Sequence, residues 1–396
     1  MRYRYSSEEN GKVVKTAAVY TEDEHGINSA DVDSEAAGIV KHLRDAGHET
    51  YIVGGAVRDL ILGKNPKDFD IASDASPARI KRLFRNSRII GRRFRLVHVY
   101  FGPRIFEVST FRSLKSGSNG NTFGSIKDDV LRRDFTMNAL FYEPGQKIVV
   151  DYVGGMKDIR AKRVKPIIPL SIIFKDDPVR MIRAVKYAAT TGFSLPLCVR
   201  WKIKTDSHLL GTVSPSRLTE EIFKIIHSPS AARITEALDR MGLYAYLQPN
   251  AAKLMKENAS FRKRYLRSMA ALNRSGFKNL PGEALGALIN DYLEDINHCE
   301  KGITENYKEC FTSARNFVLP MNPPRFELAY AVRRFFAAHG VNIKKSHIMD
   351  MTGRRRTNQP QTETAENNRP AEGEGRKRRR KRRKKGKPAD NFSKSD

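Results

Sequence analysis

Apolar residues follow two different spacings along the chain, and the change from one to the other divides it. From Tyr51 to about Lys165, short apolar runs of strand length alternate with short helical patterns. After Pro169 the strand signals fade, and apolar residues recur at helical spacing as far as about His347. The pattern predicts an α/β head with a mixed sheet, followed by an all-α neck and body.

The predicted domain limits follow this change. Residues 1–33 are polar and without sustained periodicity, which predicts a loose leader. The head is predicted over residues 34–165, the neck over 166–235 and the body over 236–351. Residues 352–396 turn to Asn, Gln, Thr, Glu and Pro and then to Lys and Arg, which is typical of a disordered basic tail.

Local signals sharpen this outline. Ser34 opens a predicted helix with apolar residues at helical spacing. Arg95–Phe101 and Arg104–Phe111, separated by a Gly-Pro pair, predict a β-hairpin. Ser113–Ser125 is rich in Ser, Gly and Asn and predicts a mobile loop. Ser214 followed by proline predicts another helix start.

The net charge of the chain predicts a polyanionic partner. The chain carries a formal net charge of +28, and the run Arg376–Lys385 together with Lys387 supplies 11 of the positive charges, which leaves +17 on the rest. Such an excess favours nucleic acid first and an acidic membrane surface second. The tail residues predicted to bind RNA are Arg376, Lys377, Arg378, Arg379, Arg380, Lys381, Arg382, Arg383, Lys384 and Lys385.

Cysteine usage and hydropathy point to a cytoplasmic protein without a membrane span. The three cysteines, Cys198, Cys299 and Cys310, lack zinc-ligand spacing, and an odd, sparse set fits a reducing compartment. No signal peptide is evident, and no apolar run approaches the roughly 18 residues that a membrane span needs.

A glycine pair is the first chemical signal. Gly54 and Gly55 follow the apolar run Tyr51–Val53 and precede a short helical pattern, Ala56–Leu60. Glycines at a strand-to-helix turn let the backbone approach a phosphate group, which the helix start can then bind. The alternative is a tight turn that only needs a positive φ.

Carboxylates follow this turn. Asp68 and Asp70, if on a strand, point to one face while Phe69 and Ile71 pack beneath. Two like charges so close are best explained by a divalent cation between them, although isolated Asp-x-Asp pairs are usually only solvated.

A third carboxylate has two candidates. Glu107 lies on a predicted strand, on the face opposite Phe106 and Val108; Asp134 lies between Arg133 and Phe135 and could instead cap a helix or pair with an arginine. Three carboxylates beside a phosphate-receptive turn suit two-metal transfer of a nucleotide, in which a hydroxyl attacks the α-phosphate and pyrophosphate leaves. Because all of these ligands are oxygens, Mg²⁺ is the expected ion.

These residues resemble the motifs of the class II tRNA nucleotidyltransferase/poly(A) polymerase family. The first motif matches Gly54–Asp59 with Asp68 and Asp70, and the second matches Arg132–Ala139. The family's Glu-Asp-x-x-Arg motif falls on Asp176–Arg180, where Asp176 departs from the family's glutamate. The resemblance implies that Asp68 and Asp70 bind two Mg²⁺ ions, with Glu107 or Asp134 as the third acidic participant. It implies nucleotide binding by Gly54, Gly55, Arg58, Arg133, Asn138, Asp177, Arg180 and Arg183.

The third motif can also be examined from its chemistry. Asp177, Arg180 and Arg183 stand at i, i+3 and i+6, along one helix face. An aspartate acceptor with an arginine donor fits the edge that adenine and cytosine share, and it rejects guanine and uracil. This pair cannot separate ATP from CTP. The alternative is that Asp177 only caps the helix before Pro178.

Two features favour the bacterial poly(A) polymerase branch of the family: the segment Ile89–Val99 and the basic tail. The tail suits an enzyme that binds many RNAs without reading their sequence. The resemblance then implies addition of AMP from ATP to single-stranded RNA 3′ ends, without DNA as a partner and with possible contact to RNA-decay machinery. The alternatives are a CCA-adding or A-adding tRNA nucleotidyltransferase and a non-catalytic RNA-binding protein.

Overall fold

The computed structural model describes residues 2–7, 13–91, 95–113, 123–272, 281–296 and 302–343. The predicted basic tail lies outside these residues, as do three residues of the segment 89–99 and most of the predicted loop Ser113–Ser125.

Nine strands in the described part of the chain form one mixed sheet. Neighbouring strands run in the order β1-β2-β9-β8-β3-β4-β7-β6-β5. Each neighbouring pair is antiparallel except β4 and β7, which are parallel. The mixed sheet predicted for the head is therefore confirmed. The strands are β1 Arg2–Ser7, β2 Val13–Tyr20, β3 Thr50–Val53, β4 Asp70–Ser73, β5 Ser87–Ile90, β6 Leu96–Phe101, β7 Arg104–Thr110, β8 Leu140–Glu143 and β9 Ile148–Asp151.

The centre of the sheet is apolar because its strands are covered on both sides. All four residues of β3 are buried, and Tyr51 packs edge-to-face on Phe141 of β8 with ring centroids 5.7 Å apart. Phe111 completes this cluster from the end of β7. The helices of the head are α1 Glu22–His25, α2 Ser34–Asp45, α3 Gly55–Ile61, α4 Pro77–Leu83, α5 Ile126–Leu131 and α6 Gly155–Arg160.

The prediction of a loose leader over residues 1–33 is wrong. Strands β1 and β2 pair with each other, and β2 adds to the sheet by pairing Ala18 with Asp151 of β9. The sequence signal is weak because β2 buries only Ala17 and Tyr20. Its hydrogen-bonding partner lies far away in the sequence, and no local pattern can reveal such a partner.

Other local predictions are confirmed. The helix predicted from Ser34 is α2, and the hairpin predicted around the Gly-Pro pair is β6 and β7. The helix predicted after Ser214 also begins there, at Pro215.

Helices alone follow β9 in the described part of the chain, which confirms the all-α region. Tyr187 packs edge-to-face on Phe135 of the head at 5.7 Å, so the helix that carries it is fixed against the head. The helices are α7 Ile173–Asp176, α8 Val179–Thr191, α9 Leu197–Asp206, α10 Pro215–Ile226, α11 Ala231–Arg240, α12 Tyr244–Leu247, α13 Pro249–Glu257, α14 Ala259–Ala271, α15 Pro281–Ile296, α16 Ile303–Phe317 and α17 Arg325–Ala338.

Candidate active site

The glycine pair forms the turn between β3 and α3. Gly54 has φ 74° and ψ −132°, a conformation that L side chains rarely adopt. A Cβ atom on Gly54 would lie 3.9 Å from Oδ2 of Asp70 and 3.7 Å from Nη1 of Arg133. The turn therefore requires glycine for its backbone, and it also keeps free space beside a carboxylate and a guanidinium group.

Asp70 and Glu107 are brought together by strand register. Strand β4 begins at Asp70 and runs parallel to β7, with Ile71 paired to Val108. Ile71 and Val108 are buried, so Asp70 and Glu107 precede them on the opposite face of neighbouring strands. Asp68 lies two residues before the start of β4, whereas the sequence pattern had predicted that the strand includes Asp68.

The three carboxylates act on one another. Burial by surrounding atoms and the negative charges of Glu107 and Asp68 raise the pKa of Asp70 to about 6, against the opposite effect of Arg133. Asp70 nevertheless keeps contact with solvent. Within the described residues, no three His, Cys, Asp or Glu side chains are gathered closely enough to form a ready-made metal centre. The acidic end of the head is thus an open group of oxygen ligands.

His98, which lies in the segment Ile89–Val99, is a neighbour of this group that was not predicted as a site residue. It pairs across the hairpin with Glu107, and its Nε2 lies 3.5 Å from Oε1 of that residue. The signal was present in the predicted hairpin, because pairing around Gly102-Pro103 places residue 98 opposite residue 107.

Arg133 and Arg58 line the turn from the second motif and from α3. Arg133 donates two hydrogen bonds to Asp129, at 2.9 and 3.1 Å, and one to the backbone oxygen of Asn138. Arg58 donates to Oδ1 of Asn138 at 2.6 Å and is also held by Asp59. Two predicted nucleotide-binding arginines are therefore fixed by acids and by the third predicted residue, Asn138.

Asp134 lies in a different environment from Glu107. It accepts hydrogen bonds from Arg180 at 2.8 Å and from Arg183 at 2.9 Å. Arg183 also reaches Glu221 of α10 at 3.3 Å. Although burial alone would lower it, the hydrogen bond to Asp134 raises the pKa of Arg183. Asp134 thus connects the head to α8, as its alternative interpretation as an arginine partner predicted.

Glu221 anchors the other side of this cluster. It is almost fully buried and pairs with Lys186 and Lys224, each at 3.0 Å. Burial alone would raise its pKa, but the charges of Lys186, Lys224 and Arg183 lower the pKa of Glu221 to about 2. The sequence indicated Glu221 only as part of the neck helix.

Asp177 and Arg180, the predicted base-reading pair, each form hydrogen bonds with other residues. Both carboxylate oxygens of Asp177 accept from Arg217, at 2.9 and 3.0 Å, and one also accepts from the backbone of Val179. Arg180 is held by Asp134 and Asp176. Asp177 therefore accepts a hydrogen bond from the first backbone N–H of α8, and both of its oxygens already accept from Arg217.

Two family models match this chain. Residues 50–165 match the model described as "Poly A polymerase head domain", and residues 192–255 match "Probable RNA and SrmB- binding site of polymerase A". Poly(A) polymerase I of Escherichia coli O157:H7 is 40% identical over 256 residues, 61% of this chain and 55% of that protein. Poly(A) polymerase I of Haemophilus influenzae is 36% identical over 257 residues, which cover 61% and 57% of the two chains.

A CCA-adding enzyme of Geobacillus kaustophilus is 34% identical over 236 residues, 58% of each chain. This chain thus spans a little over half the length of the curated relatives it matches. Among solved structures, the Bacillus stearothermophilus CCA-adding enzyme in complex with CTP is 26% identical, with a TM-score of 0.52, over 81% of this chain and 87% of that one. The resemblance stated from the motifs is confirmed.

In the described part of the chain, every helix is too short or too polar to cross a membrane.

Proposed function

We propose that this chain, which carries the head domain of the poly(A) polymerase family, transfers AMP from ATP to the 3′ ends of RNA and releases pyrophosphate. The observation that carries the proposal is the acidic end of the head. Asp68, Asp70 and Glu107 stand together without an arginine or lysine ion pair among the described residues, beside a glycine turn and Arg133.

The proposed reaction forms one bond and breaks one bond. The RNA 3′-hydroxyl oxygen attacks the α-phosphorus of ATP, and the bond from that phosphorus to the pyrophosphate oxygen breaks. Arg133 and Arg58 bring positive charge and hydrogen-bond donors to the phosphates, and Gly54 lets the backbone come close to them. The proton of the attacking hydroxyl group passes to the solvent that reaches this open acidic end.

The donor set fits divalent cations. Asp68 and Asp70 would hold Mg²⁺, with Glu107 as the third acidic group, because carboxylate oxygens select hard cations. Gly54 supports this assignment, since the space that a side chain would fill lies next to Oδ2 of Asp70. When bound, the ions supply charge that stabilises the attacking and the leaving oxygens. We assign Asp134 instead to holding Arg180 and Arg183.

Base selection is proposed for the start of α8. One donor of Arg180, Nη2, makes no hydrogen bond among the described residues, so it is available to a ring nitrogen. Oδ1 of Asp177 already accepts hydrogen bonds from Arg217 and from the backbone of Val179, whereas Oδ2 accepts from Arg217 alone and keeps a second lone pair for an exocyclic amine. Recognition would therefore use Oδ2 of Asp177 beside Arg217.

RNA binding is proposed for the helical region and the basic tail. The neck over residues 166–235 would select the nucleotide, the body over residues 236–351 would bind RNA, and residues 376–385 would hold it electrostatically. If about five tail charges meet phosphates, truncation after Gly375 should flatten the log–log salt dependence of RNA binding by roughly 3 to 4, at about 0.7 per contact. An unchanged slope would assign the tail to another partner.

Nucleotide incorporation tests the activity. The full chain is incubated with a generic single-stranded RNA, Mg²⁺ and each nucleoside triphosphate separately, with Asp70→Ala as the inactive control. We expect long additions with ATP alone, and none without a divalent cation. No AMP addition to any RNA, with the protein folded, would overturn the proposal and favour a non-catalytic RNA-binding protein.

The CCA-adding alternative is favoured by one observation, the similarity to CCA-adding enzymes in sequence and fold. A tRNA transcript that lacks its CCA end distinguishes the two. Addition of two C residues and one A, followed by a stop, would assign this chain to tRNA maturation. Continued addition of A to tRNA and to unrelated RNA alike is the expected result.

A further inference from the structure

The face of the sheet that carries the acidic end continues across β7, β6 and β5. Asp70 stands beside Glu107, because β4 and β7 run parallel in the register described above. Glu107 pairs with His98 of β6, and His98 pairs in turn with Arg88 of β5. Residues paired directly across antiparallel strands point to the same face. One row of side chains therefore crosses four strands, from Asp70 to Arg88.

The far end of this row is cationic. Arg88 is exposed and forms no ion pair in the part of the chain that the structure describes. Two strand spacings, about 10 Å, separate its backbone from that of Glu107. Arg88 therefore offers a site for a phosphate group that lies close to the carboxylates without meeting their negative charge.

A second row, next to the first, is aromatic and apolar. Tyr100 of β6 pairs with Ile105 of β7, two residues along each strand from His98 and Glu107 and so on the same face. Ile105 is 52% exposed although it lies within a strand, and Tyr100 is partly exposed. The rings of Tyr100 and His98 pack edge-to-face, with centroids 6.3 Å apart. Together Arg88, His98, Tyr100 and Ile105 form what we call the hairpin face, an open surface that can support a flat ring.

The proposed reaction brings the RNA to this side of the carboxylates. Gly54, Arg58 and Arg133, which are proposed to hold the phosphates of ATP, lie at or beside the turn that follows β3. The sheet order puts β3 on one side of β4 and β7 on the other. An in-line attack needs the RNA hydroxyl group opposite the leaving pyrophosphate. The RNA 3′ end should therefore enter from the side of β7, β6 and β5.

We propose that the hairpin face binds the 3′-terminal nucleotide of the RNA, with the phosphate of that nucleotide on Arg88 and its ribose and base on Tyr100 and Ile105. The inference rests on the proposed function, because it takes RNA as the substrate. It assigns the RNA end to the head, outside the residues 192–255 that match the RNA-binding model. A guanidinium group pairs with any phosphate, and every base has a π-face, so this site accepts RNA ends of any sequence.

Neutralising one phosphate at a time tests the contact to Arg88. A pentanucleotide of A is prepared with a neutral methylphosphonate in place of its last phosphodiester, and a second one carries the same change at its first phosphodiester. With the wild-type chain, the change at the last linkage should raise the KM for RNA about tenfold, and the change at the first linkage less than about twofold. Because this phosphate does not react, kcat should stay within about twofold.

Arg88→Gln supplies the other half of this comparison. It should raise the KM for the unmodified RNA about tenfold, and the methylphosphonate at the last linkage should then cause no further increase, because the partner of that phosphate is gone. Arg82→Gln removes another exposed arginine, on α4, and should behave as the wild type. An equal increase from the methylphosphonate in the wild type and in Arg88→Gln, or no increase in either, would overturn the inference.

A photocrosslink tests the same site without catalysis. RNA that ends in 4-thiouridine is irradiated on the full chain in the absence of ATP, and the crosslinked peptides are identified by mass spectrometry. We expect crosslinks in β6 and β7, at or next to Tyr100 and Ile105, with a lower yield in Arg88→Gln. Such crosslinks in a chain that adds no AMP would support the hairpin face and overturn only the proposed catalysis. The absence of crosslinks in β6 and β7 would overturn the inference.

Discussion

Carboxylates occur in two contrasting settings in this molecule. At the acidic end of the head, Asp68 and Asp70 have no ion-pair partner in the described residues, and burial together with repulsion from Glu107 and Asp68 raises the pKa of Asp70. Between head and neck, Asp134 and Glu221 are surrounded by arginine and lysine side chains, which lower the pKa of Glu221. The unpaired carboxylates at the acidic end lower the stability of the fold, and the paired carboxylates between head and neck raise it.

The difference shows how a charged residue can be assigned either to catalysis or to stabilisation of the fold. A group of mutually repelling carboxylates persists only where something outside the protein chain compensates for the repulsion. A carboxylate whose oxygens already pair with lysine or arginine side chains of the same chain needs no such compensation. Substitutions in the two settings should therefore have opposite effects.

The largest effect is expected on turnover at the acidic end. Asp70→Ala or Asp68→Ala should lower AMP addition at least 1000-fold, which corresponds to about 4 kcal/mol, while RNA binding is retained. The rate is measured with saturating ATP and Mg²⁺. Asp74→Ala, at the end of the same strand, is the matched control and should retain activity.

The third acidic group can be assigned in the same assay. Glu107→Ala should lose two orders of magnitude or more, about 2.7 kcal/mol. Asp134→Ala should instead act mainly on stability and ATP affinity, because it frees Arg180 and Arg183. A larger loss of turnover in Asp134→Ala than in Glu107→Ala would contradict the comparison.

The next effect is on stability at the paired cluster. Glu221→Gln leaves Lys186 and Arg183 without their buried acid and should lower the free energy of unfolding by about 3 kcal/mol at pH 7. Because the folded pKa of Glu221 is lowered to about 2, its stabilisation is complete above the unfolded value of 4.5 and is lost as pH falls towards 2.

Urea unfolding at several pH values checks this prediction. The difference in the free energy of unfolding between wild type and Glu221→Gln should be at its full value at pH 6 and should narrow as the pH falls from about 4.5 to 3. The exposed neighbour supplies the control, since Glu220→Gln should change stability by less than about 0.5 kcal/mol at any pH. A constant gap across this range would remove Glu221 from the stabilising cluster.

A smaller effect is expected on nucleotide choice. Arg180→Ala removes the donor that adenine and cytosine can satisfy, so preference for ATP over GTP and UTP should fall by about 1–3 kcal/mol. Arg180→Lys keeps the charge but not the planar fork and should restore stability more than selectivity. Competition between nucleotides in one reaction measures the ratio, and an unchanged ratio would leave Arg180 a purely structural partner of Asp134.

The smallest effect has the opposite sign to that of Glu221. Asp70→Asn removes an unpaired charge and should raise stability, by less than about 1 kcal/mol because solvent screens the exposed carboxylate. With a folded pKa of about 6, Asp70 in the wild type costs stability as pH rises from about 4 through 6. The gain should therefore appear at pH 7 and vanish at pH 4, with Asp74→Asn as the control.

The sequence predicted the residues of the site better than their partners. Motif residues such as Gly54, Asp70 and Arg133 meet because strand β4 and the second motif both return to the same turn. The partnership of Asp134 with Arg183 joins elements about 50 residues apart, and no spacing rule encodes it. His98 is an intermediate case, since the register of the predicted hairpin already placed it opposite Glu107.

The limits of the fold were harder to predict than its class. Periodicity separated the α/β head from the helical region, because buried central strands such as Thr50–Val53 are uniformly apolar. It failed for Val13–Tyr20, a strand that buries two side chains and depends on a distant partner.

The pairing of β2 with β9 has a consequence for how the head forms during synthesis. The partner of Ala18 is Asp151, which leaves the ribosome roughly 130 residues later, so the first strands must wait while the centre of the sheet assembles. Until then the edge of β2 that β9 will cover is open, which is a template for misplaced pairing with another chain. A fragment cut to the matched head segment, residues 50–165, would lack β2 and would leave the edge of β9 open permanently. Fragments that retain the segment from Val13 onward should stay monomeric where the shorter ones aggregate.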